Sequence, residues 1–273
     1  MAVGLRLFLP GEWTGDAERC ARAGVPEAKV AQRSKGEIAL AELDRVAAAG
    51  VRFGMVLADA GYGASAAFRH GLDARGLRWA VGIPRNQKVY DVDVQLVLAG
   101  RVWRRVTWRG GTKGALAARF AALRVRVADG AVWANNRHLP GAEVWLVGEW
   151  RSSGERKYYL SNLPRRLSVR ALAAAIKARW VCEQAHQQLK EELGLGHFEG
   201  RSWTGLHRHA LMTCIAYAFL QHLRLAEHNR TGRKKNRHPP SRTAAAAQPA
   251  CNTPRHHWPA VRPYRPTHPM PVL

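Results

Sequence analysis

The stretch Val51-Arg52-Phe53-Gly54-Met55-Val56-Leu57-Ala58-Asp59, followed by Ala60-Gly61-Tyr62-Gly63, decides how the fold is read. It is a short apolar run between Gly50 and Gly61, as expected for a strand buried on both faces. The run ends in one carboxylate, Asp59, at the carboxyl end of the strand, where α/β sheets present functional groups. Upstream, residues 36–49 place apolar groups at helical spacing and Gly50 stops them. Downstream, residues 65–75 read as a helix and Leu77-Arg78-Trp79-Ala80-Val81-Gly82-Ile83-Pro84 as a second buried strand. Helix, strand, helix, strand is the rhythm of an α/β fold with a parallel sheet. Before it, Leu5-Arg6-Leu7-Phe8-Leu9 alternates loosely and reads as a strand ended by a turn at Pro10-Gly11.

The texture changes over residues 88–165. Short alternating stretches at 102–108, 122–127, 144–150 and 157–160 are separated by turn signals and predict an antiparallel β insertion. Several of them interleave Arg with Trp, a mixture that can stack on bases and neutralise phosphates. A half-buried sheet with solvated Arg gives the same pattern. One long helix is expected from an N-cap at Ser168, through Leu172, Ile176, Trp180 and Leu189, to a stop at Gly194. A second apolar helix covers about Leu206 to Glu227. Residues 229–273 hold nine of the fourteen prolines and read as a disordered basic tail. The expected organisation is therefore 1–87, first part of the core; 88–165, β-rich insertion; 166–228, C-terminal core helices; 229–273, tail.

Composition narrows the partner. The 273 residues carry 43 Lys+Arg against 20 Asp+Glu, a formal net charge of +23. Nine of those cations lie in 229–273, which has no acid, so +14 remains on residues 1–228. Such a balance fits a protein that meets phosphate backbone, where Lys and Arg replace condensed counterions. No run of 18 apolar residues occurs, so no membrane-spanning helix is expected. Met1–Leu9 is too quickly broken by Pro10-Gly11 to read as a secretory signal. Cys20, Cys182, Cys214 and Cys251 form no C-x-x-C pair, so a reducing, cytoplasmic setting is expected in place of a disulfide framework or zinc knuckle.

On the helix near 179–190, Arg179, Glu183 and Lys190 fall within one stripe at about 100° per residue, with His186 and Gln187 on its flanks. Arg–Glu at this spacing is often only a surface ion pair. A strand-end Asp with a helix-borne Glu is also what a hard divalent cation needs, since Mg²⁺ takes carboxylate and phosphate oxygens.

The spacing Arg179-x₃-Glu183-x₆-Lys190, with Trp180 to Leu195, His197-Phe198-Glu199-Gly200-Arg201-Ser202-Trp203 and Leu57-Ala58-Asp59-Ala60-Gly61-Tyr62-Gly63, resembles the bacterial insertion-sequence DDE transposases with a Y-R-E-K signature. The likeness covers roughly residues 5–228. It implies an RNase H-like core with the β insertion between the second and third acidic residues, Asp59 and Glu183. It further implies Mg²⁺ or Mn²⁺ held by those two, DNA contacts from Arg179, Lys190 and Arg201, transposon-end and target DNA as partners, a homodimer, and association with the nucleoid. Two positions depart from the pattern. The signature's Tyr is Ile176, and the family's first Asp should lie on a strand well before residue 5. Asp16, in a loop, and Asp44, in a helix, do not replace it. The expectation is thus an N-terminally truncated transposase that lacks its first strands and is inactive alone. A non-catalytic DNA-binding remnant and a decaying reading-frame product are the alternatives. Glu191, Glu192 and Glu199 are weaker claimants to the third acidic role, and His197, His207 and His209 lack the spacing of a zinc site.

Overall fold

The computed structural model describes residues 4–89, 92–111, 114–134 and 137–235. The described residues of Met1–Gln32 and Gln184–Arg262 make one compact unit, and those of Arg33–Glu183 make the other.

The first unit opens with three short helices, α1 (Gly11–Thr14), α2 (Ala17–Ala23) and α3 (Glu27–Val30). Residues 5–9 do not form the expected strand. No described strand pairs with them, and Leu7, Phe8 and Leu9 instead line a pocket beside the helices. A five-residue alternation cannot distinguish a strand from an extended segment that packs by its side chains. Pro10 starts α1 where a turn was expected, and its carbonyl accepts from the Trp13 and Thr14 amides. Asp16 has a local role: its carboxylate caps α2 by accepting from the Arg19 amide at 2.8 Å.

The second unit begins with α4 (Lys35–Ala48). Ser34 and Glu37 cap it reciprocally, the Ser34 hydroxyl accepting from the Glu37 amide and the Glu37 carboxylate from the Ser34 amide. The helix ends before Gly50, whose φ of 79° is left-handed. The Asp44 carboxylate on this helix takes a two-pronged ion pair from Arg75 at 2.8 and 2.6 Å. Then follow β1 (Val56–Ala58), α5 (Ala60–Gly63), α6 (Ala66–Ala74) and β2 (Trp79–Ile83). β1 is three residues long and only half buried, contrary to the fully buried strand expected there. It lies at the edge of the sheet as described, so one side has no strand against it. β2, its parallel neighbour, is buried throughout.

After the small β3 (Lys88–Val89), β4 (Val92–Asp93) and α7 (Val94–Val97), the chain forms β5 (Arg104–Gly111) and β6 (Gly114–Arg126). A small pair, β7 (Val132–Ala134) and β8 (Arg137–His138), precedes β9 (Glu143–Trp150) and β10 (Arg156–Ser161). The antiparallel hairpins expected over 88–165 are present, and they continue the sheet begun by β1 and β2. The order is β1-β2-β10-β9-β6-β5, with β10 antiparallel to β2. The fold of this unit is mixed α/β around one six-stranded sheet.

The two faces of that sheet carry two apolar clusters. One joins Phe68, Leu72, Trp79, Val81 and Leu160; the other joins Phe120, Val147, Leu163, Leu172 and Ile176 from α8 (Val169–Lys177). Ser168 caps α8 as expected, accepting from the Ala171 amide. The single long helix from 168 to 194 is not formed. α8 stops at Lys177, a tight turn occupies Ala178–Arg179, and α9 (Trp180–Gln187) restarts. A π-helical turn, Gln188–Glu192, follows and ends before Gly194, φ 71°. In the first unit, α10 (Trp203–Lys235) starts close to the expected place and runs past Glu227. No proline interrupts it before Pro239. The expected disordered tail, residues 229–273, begins inside this helix: residues 229–235 are helical and 236–273 lie outside the described residues.

Candidate functional site

Asp59 ends β1 and caps α5. Its Oδ1 accepts from the Gly61 amide at 3.0 Å, while the residue as a whole remains exposed. Two glycines bring this turn onto β2. A Cβ on Gly63 would stand 2.0 Å from the Gly82 carbonyl oxygen and 2.8 Å from Val81, and one on Gly82 would stand 3.0 Å from the Ala60 nitrogen. Gly61-Tyr62-Gly63 is thus a packing turn. Arg69, 2% exposed, fixes its far end: the guanidinium donates to the Gly63 carbonyl at 2.5 Å and to Asp129 at 2.6 Å.

Glu183 lies in the first turns of α9 and its carboxylate is ion-paired with Arg179. The two side chains are 55% and 30% exposed, so the pair sits at the surface. Of the expected stripe, the structure brings Arg179 and Glu183 together. Lys190 is exposed in the π-helical turn, where i→i+5 bonding changes the helical phase. Lys190 and Arg201 belong to the other compact unit.

The divalent cation expected here needs about six oxygen ligands. Among the described residues, no group of three or more His, Cys, Asp and Glu side chains comes together. Glu183 is spent on Arg179 and one Asp59 oxygen on a backbone amide. The donor set present does not complete a cation site. The three histidines are also accounted for locally: His207 bonds the Trp203 carbonyl at 2.8 Å, His209 bonds the Gly194 carbonyl at 2.9 Å, and His197 packs against Gly194.

One cluster escaped the sequence reading. Glu149, on β9, is fully buried. It accepts from Lys177 at 2.7 Å, Tyr159 at 2.8 Å and Arg151 at 3.1 Å. Burial alone would raise its pKa, but the Lys177 ammonium, the Tyr159 hydroxyl and Arg151 together hold it below the ordinary carboxylate value. Burial, and then the Glu149 charge, push the Tyr159 hydroxyl well above the ordinary tyrosine value. Arg179 is near enough to oppose that rise. The only trace of it in sequence is an acid inside an otherwise apolar strand, Val144-Trp145-Leu146-Val147-Gly148-Glu149-Trp150.

The interleaved Arg and Trp residues are mostly partnered with each other. Arg109 covers Trp180 at 4.1 Å, Arg156 covers Trp150 at 4.7 Å, Arg124 covers Trp145 at 5.3 Å, and the Lys177 ammonium sits 4.6 Å from Trp108. An indole face already under a guanidinium is not an open base-stacking platform.

Among the described residues, no helix is long and apolar enough to cross a membrane. Compared with known proteins, no curated protein matches the chain. Residues 1–100, which contain Asp59 and the Gly63–Gly82 contact, match the model of a family described as DDE superfamily endonuclease.

Proposed function

We propose that this chain is a transposase-type protein of the DDE kind, acting on DNA with an RNase H-like core. One observation carries the reading: Asp59 stands at the end of a parallel strand, clamped over β2 by Gly63 and Gly82, inside the segment matched to DDE endonucleases. The mixed sheet and the acid on a helix that follows it are compatible with that fold. In this reading Asp59 and Glu183 are the acidic site residues, and Arg179, Lys190 and Arg201 hold DNA phosphates. The resemblance carried by the Arg179-x₃-Glu183-x₆-Lys190 spacing implies an insertion-sequence element as the source, transposon ends and target as the DNA, and a homodimer as the working form.

A divalent cation, Mg²⁺ or Mn²⁺, would supply Lewis acidity for phosphodiester cleavage. Asp59 and Glu183 would be its protein ligands, with one of the two already paired to Arg179. Held that way it binds weakly, so this chain alone cleaves poorly and acts mainly by binding DNA. The Arg179–Glu183 pair, and the absence of any cluster of three or more His, Cys, Asp and Glu side chains among the described residues, support that second, binding-only reading.

Two assays on the full chain test this. Duplex DNA binding should weaken steeply as salt rises from about 50 to 200 mM, and no binding at the low end would overturn the DNA assignment. Supercoiled DNA with Mg²⁺ or Mn²⁺ should be nicked no faster than without protein. Robust nicking that disappears in Asp59→Ala would overturn the incomplete-site reading.

A further inference from the structure

We propose that a pocket in the unit made by the described residues of Met1–Gln32 and Gln184–Arg262 binds an unpaired nucleotide of single-stranded DNA. The inference rests on the reading of this chain as a DNA-binding protein and assigns Arg201 a more definite place in it.

The pocket encloses about 810 Å³, within the size range of small-ligand sites. Trp13, Phe198 and Trp203 line it, together with Arg19, Arg22 and Arg201, and no Asp or Glu is among its lining residues. Three guanidinium groups around one concavity, without a lining carboxylate to balance them, call for an anionic ligand. The aromatic side chains call for a flat one. A nucleotide is both: unpaired bases stack on aromatic rings and on arginine planes while cations take the phosphates. The Arg19 guanidinium lies 4.0 Å above the Trp13 ring, so on that side the arginine plane and not the indole face is what a base can meet. A base inside a duplex has both faces covered by its neighbours and cannot enter a pocket of this kind, so the site selects unpaired strands.

The wall is held in place before any ligand arrives. A Cβ on Gly200 would stand 2.4 Å from the Phe198 ring and one on Gly205 would stand 3.0 Å from it, so only glycines leave room for the ring. The Phe198 ring also tilts against His209 at 5.5 Å, and His209 is bonded to the Gly194 carbonyl. Trp203 packs on His207 at 4.2 Å, and His207 bonds the Trp203 carbonyl. A wall fixed this way loses little freedom when a base stacks on it.

The test uses the full chain and fluorescence anisotropy of labelled 12-mers, a size on the order of one strand-binding site. The probes are a thymidine strand, its abasic counterpart, a ribo-oligonucleotide and a duplex. The thymidine strand should bind roughly tenfold tighter than the abasic strand. The exposed double variant Arg19→Ala/Arg22→Ala should weaken single-strand binding roughly tenfold while duplex binding changes by less than about twofold. Trp203→Phe, which keeps an aromatic face, should retain most single-strand affinity, and Gly200→Ala, which displaces Phe198, should lose it. Equal binding of abasic and thymidine strands, a parallel loss of single-strand and duplex binding, or a preference for the ribo-oligonucleotide would each overturn the proposal. Duplex binding without single-strand binding overturns the pocket alone, whereas failure to bind any DNA overturns the functional reading beneath it.

Discussion

Glu149 and Glu183 are the same residue type in the same compact unit, and their surroundings are opposite. Glu149 is fully buried with three partners, Arg151 just past the end of β9, Tyr159 on β10 and Lys177 on α8. Glu183 is half exposed with one partner four residues back. A buried carboxylate with every oxygen engaged is committed to the fold. Removing a partner strands a charge in a low-dielectric interior, whereas an exposed pair can be remade with water at little cost. The group that sequence motifs single out is therefore the thermodynamically cheap one, and the expensive one is silent in the motif.

That contrast can be broken by substitution. Lys177→Ala should cost about 3–5 kcal/mol because it leaves Glu149 buried and short of its closest cation. Urea melts of the variant and the parent measure it, and a cost below about 1 kcal/mol would put Glu149 in the same class as Glu183. Gly63→Ala should come next, at about 1–3 kcal/mol, since its Cβ must push the Asp59 turn off the Gly82 carbonyl. Asp59→Ala should cost about 1 kcal/mol through loss of the α5 cap. Glu183→Gln should shift stability by no more than about 0.5 kcal/mol. If Asp59 and Glu183 serve DNA, these two last variants change DNA binding or metal-dependent cleavage more than they change the melt.

Acid sharpens the same comparison. Folding lowers the Glu149 value, so in the acid range the unfolded chain binds more protons than the folded one. The contribution from Glu149 is complete above the ordinary value, near pH 4.5, and is lost as pH falls through the lowered folded value. Stability measured from pH 6 down to about 3 should fall, and Glu149→Gln should flatten that slope while lowering stability at neutral pH.

Much of the site's local frame was legible. The Ser168 cap, the Gly50 stop, the carboxylate at the end of β1 and the turns between hairpins are short-range signals, each decided within a few residues. The break at Ala178–Arg179 was not. It accompanies long-range pairings, Lys177 with Glu149 on β9 and Trp180 under Arg109 on β5, while the local apolar period runs on undisturbed. β1 misled for a related reason. An apolar run signals burial in general, but whether a strand is central or at the edge depends on its neighbours. The Arg–Trp alternation named the right residues and left their use open, since sequence spacing does not say whether an indole meets a base or an arginine from the next strand.

Those Arg–Trp stacks also determine which substitutions count as conservative. An ammonium is a hydrated point charge, whereas a guanidinium is flat and sheds its water easily. Exchanging Arg109, Arg124 or Arg156 for lysine would leave the charge of the protein untouched and still strip a planar cover from an indole. On this sheet, shape is the property a neutral drift of sequence must preserve, and a tally of positive charges is blind to it.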